Sequence, residues 1–239
     1  MKLYLFLICS VVFHLLSPLH AADASVGSDK ASSSKDTKRA PNPALVSVED
    51  IPGLPRVMLI GDSISIGYTL PTRKLLEGKA NVHRPAANCS STGIGLTNLD
   101  RWLGDKKWDV IHFNFGLHDA KLPPEGIRYA SPEDYEKNLR ELVKRLKATG
   151  AKLIFATTTP VPNGGVVEPT RRFGSIEQYN SVALKIMIEQ NIMIDDLNAA
   201  ITPHLAEAQK PNDVHFNDDG SLILAKSVAA SISNAIATK

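Results

Sequence analysis

With 239 residues, 43% of them hydrophobic, the chain has room for one domain with a buried core plus some extra sequence, and too little for two full domains. Its formal net charge of +2 arises from acids and bases spread along the whole length. That pattern excludes the concentrated basic face of a nucleic-acid binder or a charged-membrane binder, and points to a neutral small or polymeric partner.

Lys2 opens an apolar run over residues 3–16, followed by Ser17, Pro18 and the small residues Ala21 and Ala22. This is the pattern of a secretory signal peptide over residues 1–22. The run is shorter than the roughly 20 residues a membrane-spanning helix needs. With no second spanning stretch read after it, the expected product is exported, periplasmic or secreted, with no membrane span after cleavage. Removal of the leader takes Cys9 with it and leaves Cys89 alone, so no disulfide forms within the chain and Cys89 reads as a small packing residue. Residues 23–48 are rich in Ser, Lys, Asp, Ala and Pro and lack periodic apolar positions. Residues 23–53 are therefore expected to be a flexible linker, and residues 54–239 the domain.

Within the domain, short apolar runs at residues 57–60, 81–84, 110–115, 152–157 and 192–194 have strand length and alternate with segments of helical period. Ser131-Pro132-Glu133-Asp134 predicts a helix start, after which Tyr135, Leu139, Leu142, Val143 and Leu146 share one face until Gly150. Ser175 and Gln178 form a capping-box pattern ahead of Tyr179, Val182, Ala183, Ile186 and Met187. A last helix carries Leu222, Ala225, Val228, Ala229, Ile232 and Ile236. The alternation predicts an α/β fold: three layers, α/β/α, around a five-stranded, mainly parallel sheet. In such folds ligands bind beyond the carboxyl ends of the strands.

Two segments at those ends carry chemistry. Gly61-Asp62-Ser63-Ile64-Ser65 follows the first strand, and Asn212-Asp213-Val214-His215-Phe216-Asn217 precedes the last helix. A serine in the first position also serves as a helix cap, and the tripeptide alone does not separate the two roles. A serine hydroxyl becomes a nucleophile when a base takes its proton, and a carboxylate on the other ring nitrogen orients that base. Ser63, His215 and Asp213 supply these three groups.

Gly61-Asp62-Ser63, the block Asn88-Cys89-Ser90-Ser91-Thr92-Gly93-Ile94-Gly95, the block Phe115-Gly116-Leu117-His118-Asp119, and an acid beside His215 resemble the four blocks of the SGNH (GDSL-like) hydrolases. The similarity runs from Arg56 to the C-terminal helix, and implies a flavodoxin-like fold. It also implies Ser63 as nucleophile, His215 as base, and an oxyanion hole from the backbone N–H groups of Ser63 and Gly93, with Gly95 the weaker candidate. Ser65 in place of a final glycine, and an acid and base within one loop, set the chain apart from ordinary α/β-hydrolases. Two positions depart from the family. His118 stands where asparagine is usual, and is expected to act as the third oxyanion donor with Asp119 or a nearby carbonyl fixing its tautomer. Asn212 stands three residues before His215, where the acid is usual, and Asp213 is favoured as the partner of His215 over Asn212.

The remaining residues carry blander readings. His112 belongs to the core, His204 to a polar connection, and Trp102 and Trp108 flank a turn. No metal-ligand spacing, phosphate loop or dinucleotide fingerprint occurs, so no metal and no cofactor is expected. Residues 161–172 read as a surface loop over the site, with Arg171 and Arg172 as substrate contacts. The expected function is hydrolysis of short acyl esters, O-acetyl groups on carbohydrate foremost. The alternatives are a lipase or thioesterase of the same family, or an impaired relative that binds glycan.

Overall fold

The computed structural model describes residues 41–122, 129–167 and 171–238. The expected signal peptide and the linker up to residue 40 lie outside these residues. Five parallel strands form the central sheet: β1 (Arg56–Ile60), β2 (Asn81–His83), β3 (Val110–Phe113), β5 (Lys152–Ala156) and β8 (Met193–Asp195). They lie in the order β2-β1-β3-β5-β8. β1 and β3 are adjacent, with Ile60 beside Phe113, so the chain segments leaving their carboxyl ends emerge side by side.

On one face lie α1 (Ser63–Leu75), α5 (Leu197–Ile201) and α7 (Asp218–Ala237); α1 packs along α7, which also covers β3, β5 and β8. On the other lie α2 (Thr92–Leu103), α3 (Pro132–Ala148) and α4 (Ile176–Glu189), each against the next. Burial on both faces explains why the strands are apolar runs instead of alternating sequences: Val57, Leu59 and Ile60 are fully buried in β1, and Ile111 and Phe113 in β3. The caps read in the sequence are made. Ser131 accepts from the Asp134 N–H at the start of α3, and Ser175 from the Gln178 N–H at the start of α4.

Three features differ from expectation. Residues 42–53, assigned to the linker by composition, pack on the domain: Ala44 is buried in a short 3-10 turn (Pro43–Leu45), Asn81 bonds both backbone groups of Ile51, and Asp50 pairs with Arg56 and His83. Their anchoring partners lie up to 56 residues ahead, beyond any local pattern. Second, residues 161–172 are not simply a loop. β6 (Val166–Val167) and β7 (Arg171–Phe173) join β4 (Lys121–Leu122) in a small antiparallel sheet ordered β4-β7-β6, made of strands too short to show a period. Third, α7 is long and apolar enough by composition to cross a membrane, but turns Leu224, Ala225, Val228, Ala229 and Ile232 into the core.

His112 is fully buried on β3 and its Nε2 lies 2.9 Å from Asp195 Oδ2 on β8, with Ser227 and Ser231 of α7 bonding the same carboxylate. Burial alone would raise the Asp195 carboxyl; these hydrogen bonds outweigh it and hold the group below its usual range.

Candidate active site

At the carboxyl end of β1 the chain turns through Gly61 and Asp62 into α1. Asp62 is the cap: its Oδ1 accepts the Ile64 N–H at 2.9 Å, and Ser63 is the first helical residue. The capping role therefore falls to Asp62, and Ser63 is left with an N–H in the first turn, where no intrahelical acceptor exists. The turn is braced from below by Arg84, a buried guanidinium at the end of β2. It donates to Ser65 Oγ and Thr69 Oγ1 on α1, each at 3.0 Å, and to the carbonyls of Gly61 and Ala87, each at 3.2 Å. The Cys89 N–H also donates to the Gly61 carbonyl, at 3.2 Å, tying the segment after β2 to the segment after β1. Cys89 itself is fully buried, and burial pushes its thiol up to about 11, far from thiolate chemistry.

His215 arrives from the far end of the chain, between the buried side chains of Val214 and Phe216. The Lys210 N–H donates to its carbonyl at 2.9 Å, and Asn217 caps α7 just beyond it through the Gly220 N–H. Its Nε2 lies 2.8 Å from Ser63 Oγ, and its Nδ1 lies 2.9 Å from Asp213 Oδ1. A carboxylate only accepts, so Nδ1 carries the proton and Nε2 accepts from the serine hydroxyl. Ser63, His215 and Asp213 thus form one continuous relay. Asn212 does not join it: at φ 52° it takes the left-handed conformation and accepts from Asn163 Nδ2 at 2.7 Å. This left-handed turn is what brings an acid two residues upstream of the histidine onto its ring.

Beside Ser63 lies the start of α2, whose Ser91 cap makes no side-chain hydrogen bond. Asp119 takes over: its carboxylate accepts the Thr92 N–H at 3.0 Å and also the Thr92 hydroxyl, which in turn accepts from Asn138 Nδ2 at 3.2 Å. Asp119 is fully buried, and burial pushes its carboxyl up to about 6 against the pull of those donors. Of the groups expected to fix the His118 tautomer, Asp119 or a nearby carbonyl, Asp119 turns its oxygens to Thr92. Gly93, the second residue of α2, is exposed, and a Cβ there would meet nothing nearer than Ser91 Oγ at 3.9 Å. Gly95 serves packing, because a Cβ there would stand 2.8 Å from the Phe115 ring. Gly116 sits at φ 145°, where a Cβ would collide with Thr158 Oγ1, so the chain leaving β3 tolerates no side chain at that point. His118 follows, half-buried, with its Nδ1 3.1 Å from Ser90 Oγ.

Arg84 and Ser90 were not singled out in the sequence. An arginine closing an apolar strand was the available signal for Arg84; nothing local marks Ser90. Arg172 is exposed on β7, while the side chain of Arg171 lies outside the described residues. Among the described residues no three His, Cys, Asp or Glu side chains gather as metal ligands.

A parallel α/β sheet carrying a hydroxyl, an imidazole and a carboxylate in series at its carboxyl edge defines the class: a serine-type hydrolase scaffold. Residues 59–223 match the GDSL-like Lipase/Acylhydrolase family, and the chain belongs to it. It is 27% identical over 121 residues to an arylesterase of Vibrio mimicus, a match covering 46% of this chain and 58% of that protein. The lipase/acylhydrolase of Enterococcus faecalis superposes with a TM-score of 0.63 at 22% identity, over 76% of this chain and 96% of the other. An acetylxylan esterase, Axe2 of Geobacillus stearothermophilus, gives a TM-score of 0.63 at 22% identity, over 77% and 95% of the two chains. At these identities the two structures speak for the fold.

Proposed function

We propose that the chain is an exported serine esterase that hydrolyses short acyl esters, O-acetyl groups on carbohydrate in particular, through an acyl group on Ser63. The observation that carries this reading is the relay of 2.8 Å and 2.9 Å from Ser63 through His215 to Asp213. In the first step Ser63 Oγ attacks the ester carbonyl while His215 Nε2 takes its proton. The resulting imidazolium is stabilised by Asp213 and hands the proton to the departing alcohol. Water, activated by the same nitrogen, then releases the acid and restores the serine. The first-turn N–H groups of Ser63 and Gly93, with the ring N–H of His118, hold the oxyanion in both halves.

The acyl preference is drawn from two of the similar proteins, an arylesterase and an acetylxylan esterase. The leader over residues 1–22 supports export to a compartment where polymeric glycans lie outside the cell. Release of p-nitrophenol from acetate and longer esters tests the reading. Ser63→Ala is expected to lower kcat on the order of 10⁴–10⁶-fold, and the acetate is expected to be the best of the series. Undiminished turnover in Ser63→Ala would overturn the nucleophile, and preference for long chains would overturn the acetyl assignment.

A further inference from the structure

An amide at the position of His118 offers an N–H whatever its surroundings. A neutral imidazole offers one N–H on either of two nitrogens, and is a donor toward the catalytic edge only when the right nitrogen is protonated and the ring correctly turned. Histidine in place of the family's usual asparagine therefore creates a need that an asparagine there does not have. We propose that Ser90 meets it as a positioning residue: its hydroxyl donates to Nδ1 of His118, holding the ring in orientation and keeping its proton on Nε2 as the third oxyanion donor.

The contact is direct, Ser90 Oγ to His118 Nδ1 at 3.1 Å. The neighbouring carboxylate of Asp119 is taken by the Thr92 N–H and hydroxyl, so it does not draw the ring proton to Nδ1. The contrast with His215 is instructive, because there a carboxylate on Nδ1 fixes the opposite tautomer, which a general base requires. One site thus uses two histidines in opposite proton arrangements, selected by what faces Nδ1. Ser90 is also placed for this. Cys89, just before it, donates to the Gly61 carbonyl two residues ahead of Ser63, so the Ser90 side chain stands at the same sheet edge as the nucleophile. Ser90 occupies φ 56°, a conformation glycine adopts without strain, and its N–H is held by Asn88 Oδ1 at 2.9 Å. A side chain kept at such a backbone position argues for a role of the side chain itself.

This inference rests on the ester-hydrolase reading for its kinetic arm only. Ser90→Gly removes the hydroxyl and eases the backbone, so folding is retained. It is expected to lower kcat on p-nitrophenyl acetate roughly tenfold, short of the 10²–10³ for outright loss of an oxyanion donor, with KM within about twofold. In a His118→Asn background, where no tautomer needs setting, adding Ser90→Gly is expected to change kcat by less than about twofold. Ring nitrogen-15 spectra of the wild type with the His118 ring neutral should show Nδ1 unprotonated and Nε2 protonated, and a mixture in Ser90→Gly. A proton on Nδ1 in the wild type, an unchanged kcat in Ser90→Gly, or an equal loss in the His118→Asn background would each overturn it. Failure of the esterase reading shows itself separately, as activity that survives Ser63→Ala, and leaves the nitrogen spectra to decide alone.

Discussion

Asp213 and Asn212 have separate tasks: one holds the imidazole, the other docks the segment after β5 through Asn163. Replacing Asp213 by Ala removes the acceptor that fixes the His215 tautomer, and kcat is expected to fall on the order of 10⁴-fold. Asn212→Gly keeps the left-handed backbone and loses only the amide, so kcat should stay within several-fold of the wild type. Ester hydrolysis by the two purified variants decides it, and the reverse ranking would return the acid's role to position 212. The choice between them was readable from chemistry, since a carboxylate orients an imidazolium better than an amide. The turn at φ 52° that makes it geometrically feasible was not, because asparagine populates that region without announcing it. Asp119 was less legible still. It or a nearby carbonyl was expected to fix the tautomer of His118, yet its carboxylate lies at the start of α2, fully buried, with its pKa raised from 3.8 to about 6. A raised carboxyl favours folding while protonated, so its contribution is complete below about pH 4 and is lost as pH rises through 6. Two pH units correspond to about 3 kcal/mol. Asp119→Asn removes that titration while keeping an acceptor for Thr92. Measured by denaturant unfolding, the variant's stability relative to wild type is expected to rise by about 3 kcal/mol between pH 4 and pH 8, and a constant difference would show that Asp119 does not titrate there.

Strand ends decide where this chemistry sits, and two strands are fastened at their ends by one side chain. Arg84 bonds the turn after β1, the first turns of α1 and the segment leading to α2, so it sets the spacing between the elements that carry Ser63 and Gly93. Arg84→Met fits a similar volume but leaves the buried carbonyl of Gly61 and the half-buried carbonyl of Ala87 with one donor fewer each. The Gly61 carbonyl keeps the Cys89 N–H, so the loss is that of two bonds from a charged donor, at about 1.5–3 kcal/mol each roughly 3–6 kcal/mol. Thermal unfolding should report it as a fall in Tm on the order of 10 °C, and Arg84→Lys should recover little, because a point charge cannot span four acceptors on three segments. A variant as stable as the wild type would make the brace ornamental. At this scale the sequence was most informative for long elements with strong periods. The helices α3 and α4 were legible in both face and cap, and the five strands in position, since burial on both faces demands continuous apolar runs in β1, β3 and β5. The sheet β4-β7-β6 was not, for its strands of two or three residues carry no period and β4 pairs with β7 some 50 residues ahead.

At the scale of the whole molecule, composition misplaced the beginning of the domain. Residues 42–53 contain Asn42, Pro43, Ser47, Glu49, Asp50, Pro52 and Gly53, a polar and turn-rich mixture that resembles linker, and only their partners reveal them as structure. Arg73 on α1 reaches back to the carbonyls of Pro43 and Val46, and Asn81 bonds both backbone groups of Ile51. Burial acts to raise the Asp50 carboxyl, but hydrogen bonds from His83, Arg56 and Lys106 outweigh it and hold the group at about 2. A chain cut to begin at residue 54 loses all of these contacts and leaves the buried Asn81 amide without its Ile51 partners. It should therefore be less stable than one beginning at residue 41 by at least about 2 kcal/mol. The difference has a predictable pH dependence. A depressed carboxyl stabilises while ionised, so the contribution of Asp50 is fully present above about pH 4 and is lost as pH falls toward 2. Unfolding of the two chains compared at pH 7 and again near pH 2.5 should show the gap narrowing in acid. Equal stability at pH 7 would return residues 42–53 to the tether, whereas a gap that ignores pH would assign their hold on the domain to Asn81 and Arg73 alone.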